Sequence, residues 1–311
     1  MLVYLARRLV QTVPVLLIIS FIVFMIMHLL PGDPAMLMLG GEYAVSAEHV
    51  QELRAEMGLD DPIYVQYARF LAGAIRGDLG TSARFKRPVT EVVLEQFPFT
   101  LQLAAAGMVV AVVIGLGIGI TAAVVQHSWV DTIGMLIALF GTSTPIFWVG
   151  LMLIFVFAFQ LGWLPATGAG GWKAIILPAL TVGLIGAGSI ARIARATFIE
   201  VLCQDYIRVA RSKGLGEAAV ISGHALKNAM IPIVTIMGLQ FGGMLSGAVI
   251  TETVFSRPGI GRLVVGAILW KDFRLAQGII LLAAVSYMLV NLVIDISYAW
   301  LDPRVRYGEQ R

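Results

Sequence analysis

Six apolar runs dominate this chain, at about 9–30, 101–125, 133–159, 175–195, 230–254 and 276–300. A helix needs roughly 20 such residues to cross the hydrocarbon core of a bilayer, so the expected fold is all-α and polytopic with six transmembrane helices. Composition agrees. Of 311 residues 59% are hydrophobic and only 13% are charged, against about 25% charged in an ordinary soluble domain. Too little polar surface remains to cover a water-soluble fold. The first run follows Arg7 and Arg8 in the manner of a signal peptide, yet it continues from Leu9 to Leu30 and ends in LLPGDPA without a small-x-small cleavage site. A signal core spans only about 7–15 apolar residues, so the run reads as an uncleaved first helix.

Between the first two runs lies a polar stretch, 31–100, that holds nearly all the acidic residues. Its SAEHVQELRAEMGL and YVQYARFLAGAIRGDLG portions have helical periodicity, with Ser46 a candidate cap and Gly58 and Gly77 candidate stops. It reads as a small folded extramembrane element. Orientation follows from Lys and Arg in the short loops. Arg7 and Arg8, the group from Arg192 through Lys227, and Arg304, Arg306 and Arg311 fall on one side of an even number of spans. That side, with both termini, is expected to be cytoplasmic. Arg257, Arg262, Lys271 and Arg274 lie on the opposite face and weigh against it.

Small residues recur at helical spacing: Gly107, Ala111, Gly115 and Gly119 in the second run, Gly183, Ala187 and Ala191 in the fourth, Gly238, Gly242 and Ser246 in the fifth. Such rows let helix backbones approach closely. Ordinary bundle packing explains any one of them; a moving or dimer-forming interface, or a pathway, is the sharper reading, placed on the fifth run. Asp295 is the acid deep in a run. It reads as a structural ion pair with Arg192 or Arg195, with a proton or substrate relay as the other possibility. No Walker A pattern occurs, nor a Ser-His-Asp, intramembrane-protease or HExxH pattern. The single cysteine, Cys203, excludes an internal disulfide, and no basic face alternates with aromatics, so neither a metal site nor nucleic-acid binding is indicated. The chain is expected to be no enzyme and to bind no cofactor.

The stretch DYIRVARSKGLGE, 205–217, stands apart because Arg208, Arg211 and Lys213 interrupt an oily chain and Gly214 follows at once. TFIEVLCQDYIRVARSK reads as a helix running out of the fourth span, with Val201, Leu202, Ile207, Val209 and Ala210 as its apolar surface. Gly214 and Gly216 then allow a sharp turn. EAAVISGHALKNAM reads as a second short helix before Pro232. Anionic lipid could attract such a segment, but charge alone does not call for a glycine turn and a paired helix.

RVARSKGLGEAAVISGHALKNAMIPIVT resembles the cytoplasmic loop of permease subunits in bacterial ABC importers, in the variant of the dipeptide, oligopeptide, glutathione and nickel permease family. Arg208, Val209 and Ala210 stand at the leading positions of that family's degenerate signature, Gly214 at its glycine and Pro232 at its closing proline. RRLVQTVPVLLIISFIVF, LLPGDPA, MGLDDPIYVQYARFL, RGDLGTS, LGWLPATG, MGLQFGGMLSGAVITETVFSRPGIGRL and LDPRVRYG resemble other parts of the family in order along nearly the whole chain. The resemblance implies a type I importer permease in a bacterial inner membrane. Its parts would be a tail and first helix (1–30), a periplasmic segment (31–100), a five-helix core (101–301) containing a coupling loop (197–229), and a cytoplasmic tail (302–311). It further implies a homologous second permease, cytoplasmic ATPase subunits holding ATP and Mg, and a periplasmic binding protein that delivers short peptides. Asp205, Tyr206, Arg208, Ala210, Arg211, Lys213, Gly214 and Pro232 would form the element that couples to the ATPase. Nickel or another small solute is the alternative cargo. A secondary transporter would show inverted repeats and broken helices, an intramembrane enzyme a catalytic set, and a scaffold neither.

Overall fold

The computed structural model describes residues 2–29, 35–36, 47–168 and 170–301. Among them the principal elements are α1 (Leu2–Leu29), α2 (Ala47–Met57), α3 (Ile63–Ile75), α4 (Val89–Val124), α5 (Trp129–Ser143), α6 (Ile146–Leu153), α7 (Ile176–Leu202), α8 (Asp205–Ser212), α9 (Leu226–Val254), α10 (Ile260–Leu269) and α11 (Phe273–Leu301). No strand occurs among the described residues; Thr81 and Pro88 make one isolated antiparallel bridge. Two compact units can be told apart. One comprises Thr100–Arg257 with α11 from Leu289 onward, the other Leu2–Phe99 with Pro258–Met288.

By length and composition, Val89–Val124, Trp172–Leu202, Glu217–Leu245 and Phe273–Ile294 can each cross a membrane. The pair Trp129–Ser143 and Ile146–Gln160 makes a fifth span if counted as one. The run expected at 9–30 lies in α1, whose described apolar stretch is Val10–Ile26. The expected count of six is therefore four or five among the described residues, with α1 as the further apolar helix.

Pro145 and Pro178 both read as interruptions of their runs, and only the first is one. The third run is not one straight helix but bends by 106° between its halves. Thr144 (ψ 133°) and Pro145 (ψ 134°) are both extended there, since the ring of a proline disfavours helical geometry in the residue before it. Pro178, by contrast, interrupts nothing. It sits in the first turn of α7, where the missing N–H is one that a helix start leaves unpaired anyway. The second run also starts early: α4 begins at Val89, so the end of the 31–100 stretch is helical and continuous with the span.

In the unit containing the N-terminus, α3 lies along α1. The Tyr67 hydroxyl donates to the Leu17 carbonyl at 3.2 Å and shares a 2.9 Å hydrogen bond with Ser20 Oγ, while its ring meets Phe21 edge-on. Gly58 and Gly77 both take the left-handed conformation just beyond α2 and α3 (φ +63° and +79°). Ser46 lies outside the described residues. Val89, Val92 and Val93 of α4 pack with Ile260 and Ala267 of α10 and Leu275 and Ile279 of α11. The loop 79–88 is strapped down by buried Asp272. Its Oδ2 accepts from Ser82 Oγ at 2.5 Å and from the Arg84 amide at 3.0 Å.

In the other unit the two small-residue rows face each other. A Cβ on Gly115 would stand 2.8 Å from the Ala187 carbonyl, and one on Gly119 2.6 Å from that of Ala191. A Cβ on Gly183 would meet Val110 at 2.6 Å. The rows on α4 and α7 are thus bundle packing. Lipid tails are as apolar as leucine, so close van der Waals approach has to supply the association that water supplies elsewhere. Gly119→Ala is expected to cost about 1–3 kcal/mol through overpacking. Gly117→Ala, whose Cβ would meet nothing within 4 Å, is expected to be neutral or stabilising by up to about 1 kcal/mol. Thermal unfolding of the two variants in detergent checks this; equal midpoints would refute the close-packed contact.

Candidate functional site

α7 stops at Leu202, so the expected continuous helix through Lys213 is broken. Cys203 is still helical, but Gln204 is extended (φ −71°, ψ 149°) and α8 starts afresh at Asp205. A carboxylate in a first turn favours such a start, because it faces the positive end of the helix dipole. Ile207 and Ala210, one turn apart, are buried and seat α8 on Ala123 of α4, Phe198 and Val201 of α7, and Ala225, Ala229 and Ile233 beyond it. Val209, expected on that apolar surface, points outward instead and is 54% exposed. The spacing explains it: Ile207 and Ala210 share a face that the residue between them cannot join.

α8 ends in a Schellman turn. The Gly214 N–H donates to the Arg211 carbonyl (2.9 Å) and the Leu215 N–H to that of Ala210 (3.4 Å), with Gly214 left-handed at φ +80°. Glycine is the residue this geometry asks for. Gly216 is different: its φ of −65° is open to any residue, so one glycine rather than two makes the bend. The expected second short helix is also absent as a separate body. Glu217–Ala219 and the π-helical turns Val220–Ala225 run directly into α9, because no breaker stands between them. Pro232 lies inside α9 and is exposed.

The charges sit outside this seat. Arg211 forks onto Glu217, Nη2 to Oε1 at 2.5 Å and Nε to Oε2 at 3.1 Å. That hydrogen bond holds the guanidinium pKa above its ordinary value. Arg208 Nη1 approaches Asp205 Oδ1 at 3.6 Å, with both side chains largely exposed. Asn228 Nδ2 donates to the Tyr206 hydroxyl at 2.9 Å, which ties α8 to α9. Gln204 holds the N-cap position of α8, and its side chain makes no cap bond. Arg208, Val209, Lys213 and Leu215 are the outward surface of a small rigid elbow.

Arg195 has a partner the sequence did not suggest. Its Nε and Nη2 donate to Asp131 Oδ1 and Oδ2 at 2.6 and 2.7 Å, and the Asp131 side chain is only 7% exposed. The His127 amide (φ +59°) also donates to Asp131 Oδ2, at 3.1 Å. Arg192 is exposed; the side chain of Asp295, its expected partner, lies outside the described residues. Gly238 lies under Ile294, Gly242 is buried, and the side chain of Ser246 lies outside the described residues. At the opposite end of α9, buried Glu252 accepts from Thr100 Oγ1 at 2.5 Å, and Arg257 Nη2 reaches Gln102 Oε1 at 3.5 Å. Burial lowers the Arg257 pKa, with Glu252 pulling the other way. Asp131 and Glu252 escaped notice because the first stands just before the third apolar run and the second in the last turn of the fifth. The Ser128 to Asp131 spacing of a helix cap was the available signal for the first. No group of three or more His, Cys, Asp or Glu that could hold a metal occurs among the described residues.

Long apolar helices and a polar elbow seated on three of them make the architecture of a polytopic membrane protein. The chain belongs to the family of binding-protein-dependent transport system inner membrane components, whose model matches residues 115–307, with the N-terminal model of the same systems matching 1–104. It is 45% identical over 307 residues, 99% of this chain and 100% of the relative, to the glutathione transport system permease protein GsiC of Escherichia coli (strain K12). It is 44% identical over the same shares to the protein of that name from Salmonella paratyphi A. The fold resembles a chain of the inward-facing MetNI methionine ABC transporter (TM-score 0.59, 15% identity, 68% of this chain and 96% of that one). It also resembles a chain of an amino acid ABC transporter (TM-score 0.52, 17% identity, 66% and 92%). The all-α importer-permease architecture expected from the sequence is the one the chain has.

Removing one partner of a buried ion pair strands the other charge. Asp131→Asn is therefore expected to destabilise the α5–α7 contact by about 3 kcal/mol, and Asp131→Arg with Arg195→Asp to recover much of the loss. Detergent unfolding midpoints measure both; a single variant as stable as the parent would show that the pair is incidental.

Proposed function

We propose that this chain is the membrane-spanning half of an ATP-driven importer of short peptides, glutathione among them, and that the elbow at 205–217 receives the mechanical work. The observation that carries this reading is the division of faces on α8: Ile207 and Ala210 are held in the bundle while Arg208, Val209, Lys213 and Leu215 face outward. On this reading the outward face lies in the cytoplasm, with both termini, and seats in a groove of a separate ATPase subunit that holds ATP and Mg. Arg208 and Lys213, neither committed to a buried partner, meet acidic groups or helix C-termini there. Closure of the ATPase pair then tilts α4, α7 and α9 as rigid bodies, a usual repertoire for such motion. A homologous second permease completes the translocation path, and a periplasmic binding protein supplies the cargo. The peptide class is supported by full-length identity of 44–45% to permeases named for glutathione transport.

Val at 214 would be forced to a positive φ at a cost of about 1–3 kcal/mol, enough to unwind the Schellman turn. Gly214→Val is therefore expected to lower ATP-driven glutathione uptake at least about tenfold in proteoliposomes containing the ATPase and binding protein, with normal insertion of the chain. Uptake at the parental rate would exclude the coupling role. Arg208→Glu is expected to weaken recovery of the ATPase subunit on affinity-tagged permease, and full recovery would remove that contact from the proposal.

A further inference from the structure

A second site lies wholly within the unit formed by Leu2–Phe99 and Pro258–Met288. It is a cavity of about 350 Å³ between α1, α3, the turn after α3 and the start of α11. Phe24, Phe70 and Leu79 give it an apolar floor, and Arg76, Arg274 and Asp78 line its polar side. Pockets for small ligands commonly run from about 300 to 1,000 Å³ with an apolar lining and few placed polar groups.

The arginines are the unusual part. Arg69, also on the wall, is taken by Asp61 at 2.7 Å, and the Gln66 amide is spent on the Leu59 and Asp61 carbonyls. The guanidiniums of Arg76 and Arg274 are different: neither makes a side-chain hydrogen bond or an ion pair with another described residue, and only the Arg76 backbone amide is committed, to the Gly73 carbonyl at 2.9 Å. The carboxylates that act on Arg274 are Asp78 and Asp272. Asp272 is committed to Ser82, the Arg84 amide and the Leu275 amide, and Asp78 Oδ1 accepts from the Gly80 amide at 2.9 Å. Gly80 is left-handed (φ +81°), and a Cβ there would stand 2.8 Å from Arg274 Nη1. The loop therefore leaves room for that guanidinium to lie across its backbone. Two guanidiniums facing one cavity, each with donors to spare, suit a tetrahedral oxyanion, which arginine binds through paired N–H groups.

We infer that this cavity binds a phosphate-type oxyanion, with the phosphodiester of a membrane phospholipid as the source its surroundings favour. α1 carries the cavity wall at Phe24 and presents Val10, Ile18 and Ile22 outward at 52–69% exposure, as a lipid-facing helix does. The apolar floor can take the first carbons of an acyl chain or glycerol. Asp78 on the rim suits the ammonium of an ethanolamine headgroup.

The test uses the full chain, purified in mild detergent and stripped of lipid, with two probes: short-chain phosphatidylethanolamine and inorganic phosphate. The lipid is expected to raise the unfolding midpoint of the parent. The Arg76→Gln, Arg274→Gln double variant should bind it at least about tenfold more weakly, and the Arg76→Lys, Arg274→Lys variant should recover part of the loss. A response to lipid alone assigns the headgroup as source; an equal response to phosphate alone assigns the free anion. If the double variant does not fold, the single variants Arg76→Gln and Arg274→Gln are titrated with both probes instead, weaker binding by either supporting the site and parental binding by both refuting it. A parent that responds to neither probe, or a folded double variant that binds both as the parent does, overturns the inference.

Discussion

The close approach of α4 and α7 is the constraint on which the larger unit depends. Two helices in lipid gain nothing from burying apolar surface, since the surroundings are equally apolar, so they associate only where backbones come near enough for dense van der Waals contact. Gly115 and Gly119 achieve this by lying directly against the Ala187 and Ala191 carbonyls. Everything at that end of the bundle follows from the spacing so fixed. Ala123, one turn beyond Gly119, and Ala194 and Phe198, beyond Ala191, become neighbours, and together with Ala229 and Ile233 they form the floor on which Ile207 and Ala210 rest. The elbow is seated on a contact that cannot open without separating two glycine-packed helices.

Polar side chains are placed so as to leave that contact undisturbed. Asp131 and Arg195 meet at the end of the bundle that carries α8, and Thr100 with Glu252 and Gln102 with Arg257 meet at the other. Between them the packed surface is alanine, branched aliphatics, methionine and Phe241. Charge-assisted bonds are strong and directional, so they fix which helix ends stay together. The apolar middle tolerates small rotations because no particular bond is broken by them.

Local features were legible in the sequence because their causes are local. The amphipathic spacing of Ile207 and Ala210, the need for glycine at 214 and the four-residue rows on α4 and α7 each depend on residues a turn or two apart. The partner of Arg195 was not legible. Asp131 lies 64 residues away, and which acid meets which arginine depends on how helices stack, not on their own periodicity. Where helices end was only partly legible. Pro145 announces the bend in the third span, whereas the stop at Leu202 has no breaker. It arises because α8 must turn to lay Ile207 on the bundle.

The same distinction separates the two faces of the elbow. Its geometry is over-determined: beneath it Ile207 and Ala210 are buried, and on the exposed side a Schellman turn, the Tyr206–Asn228 bond and the Arg211–Glu217 fork hold the same shape. An exposed ion pair of that kind adds only about 0.2–1 kcal/mol, so the fork is a poor anchor by itself. Its value lies in closing the loop across Gly214, so that a push on Val209 or Lys213 is not absorbed by bending there. An elbow built only for stability would need no such brace on its solvent side. On the proposed coupling role, an elbow that passes a force inward needs both the brace and the buried seat, and the chain has the two within thirteen consecutive residues, 205–217.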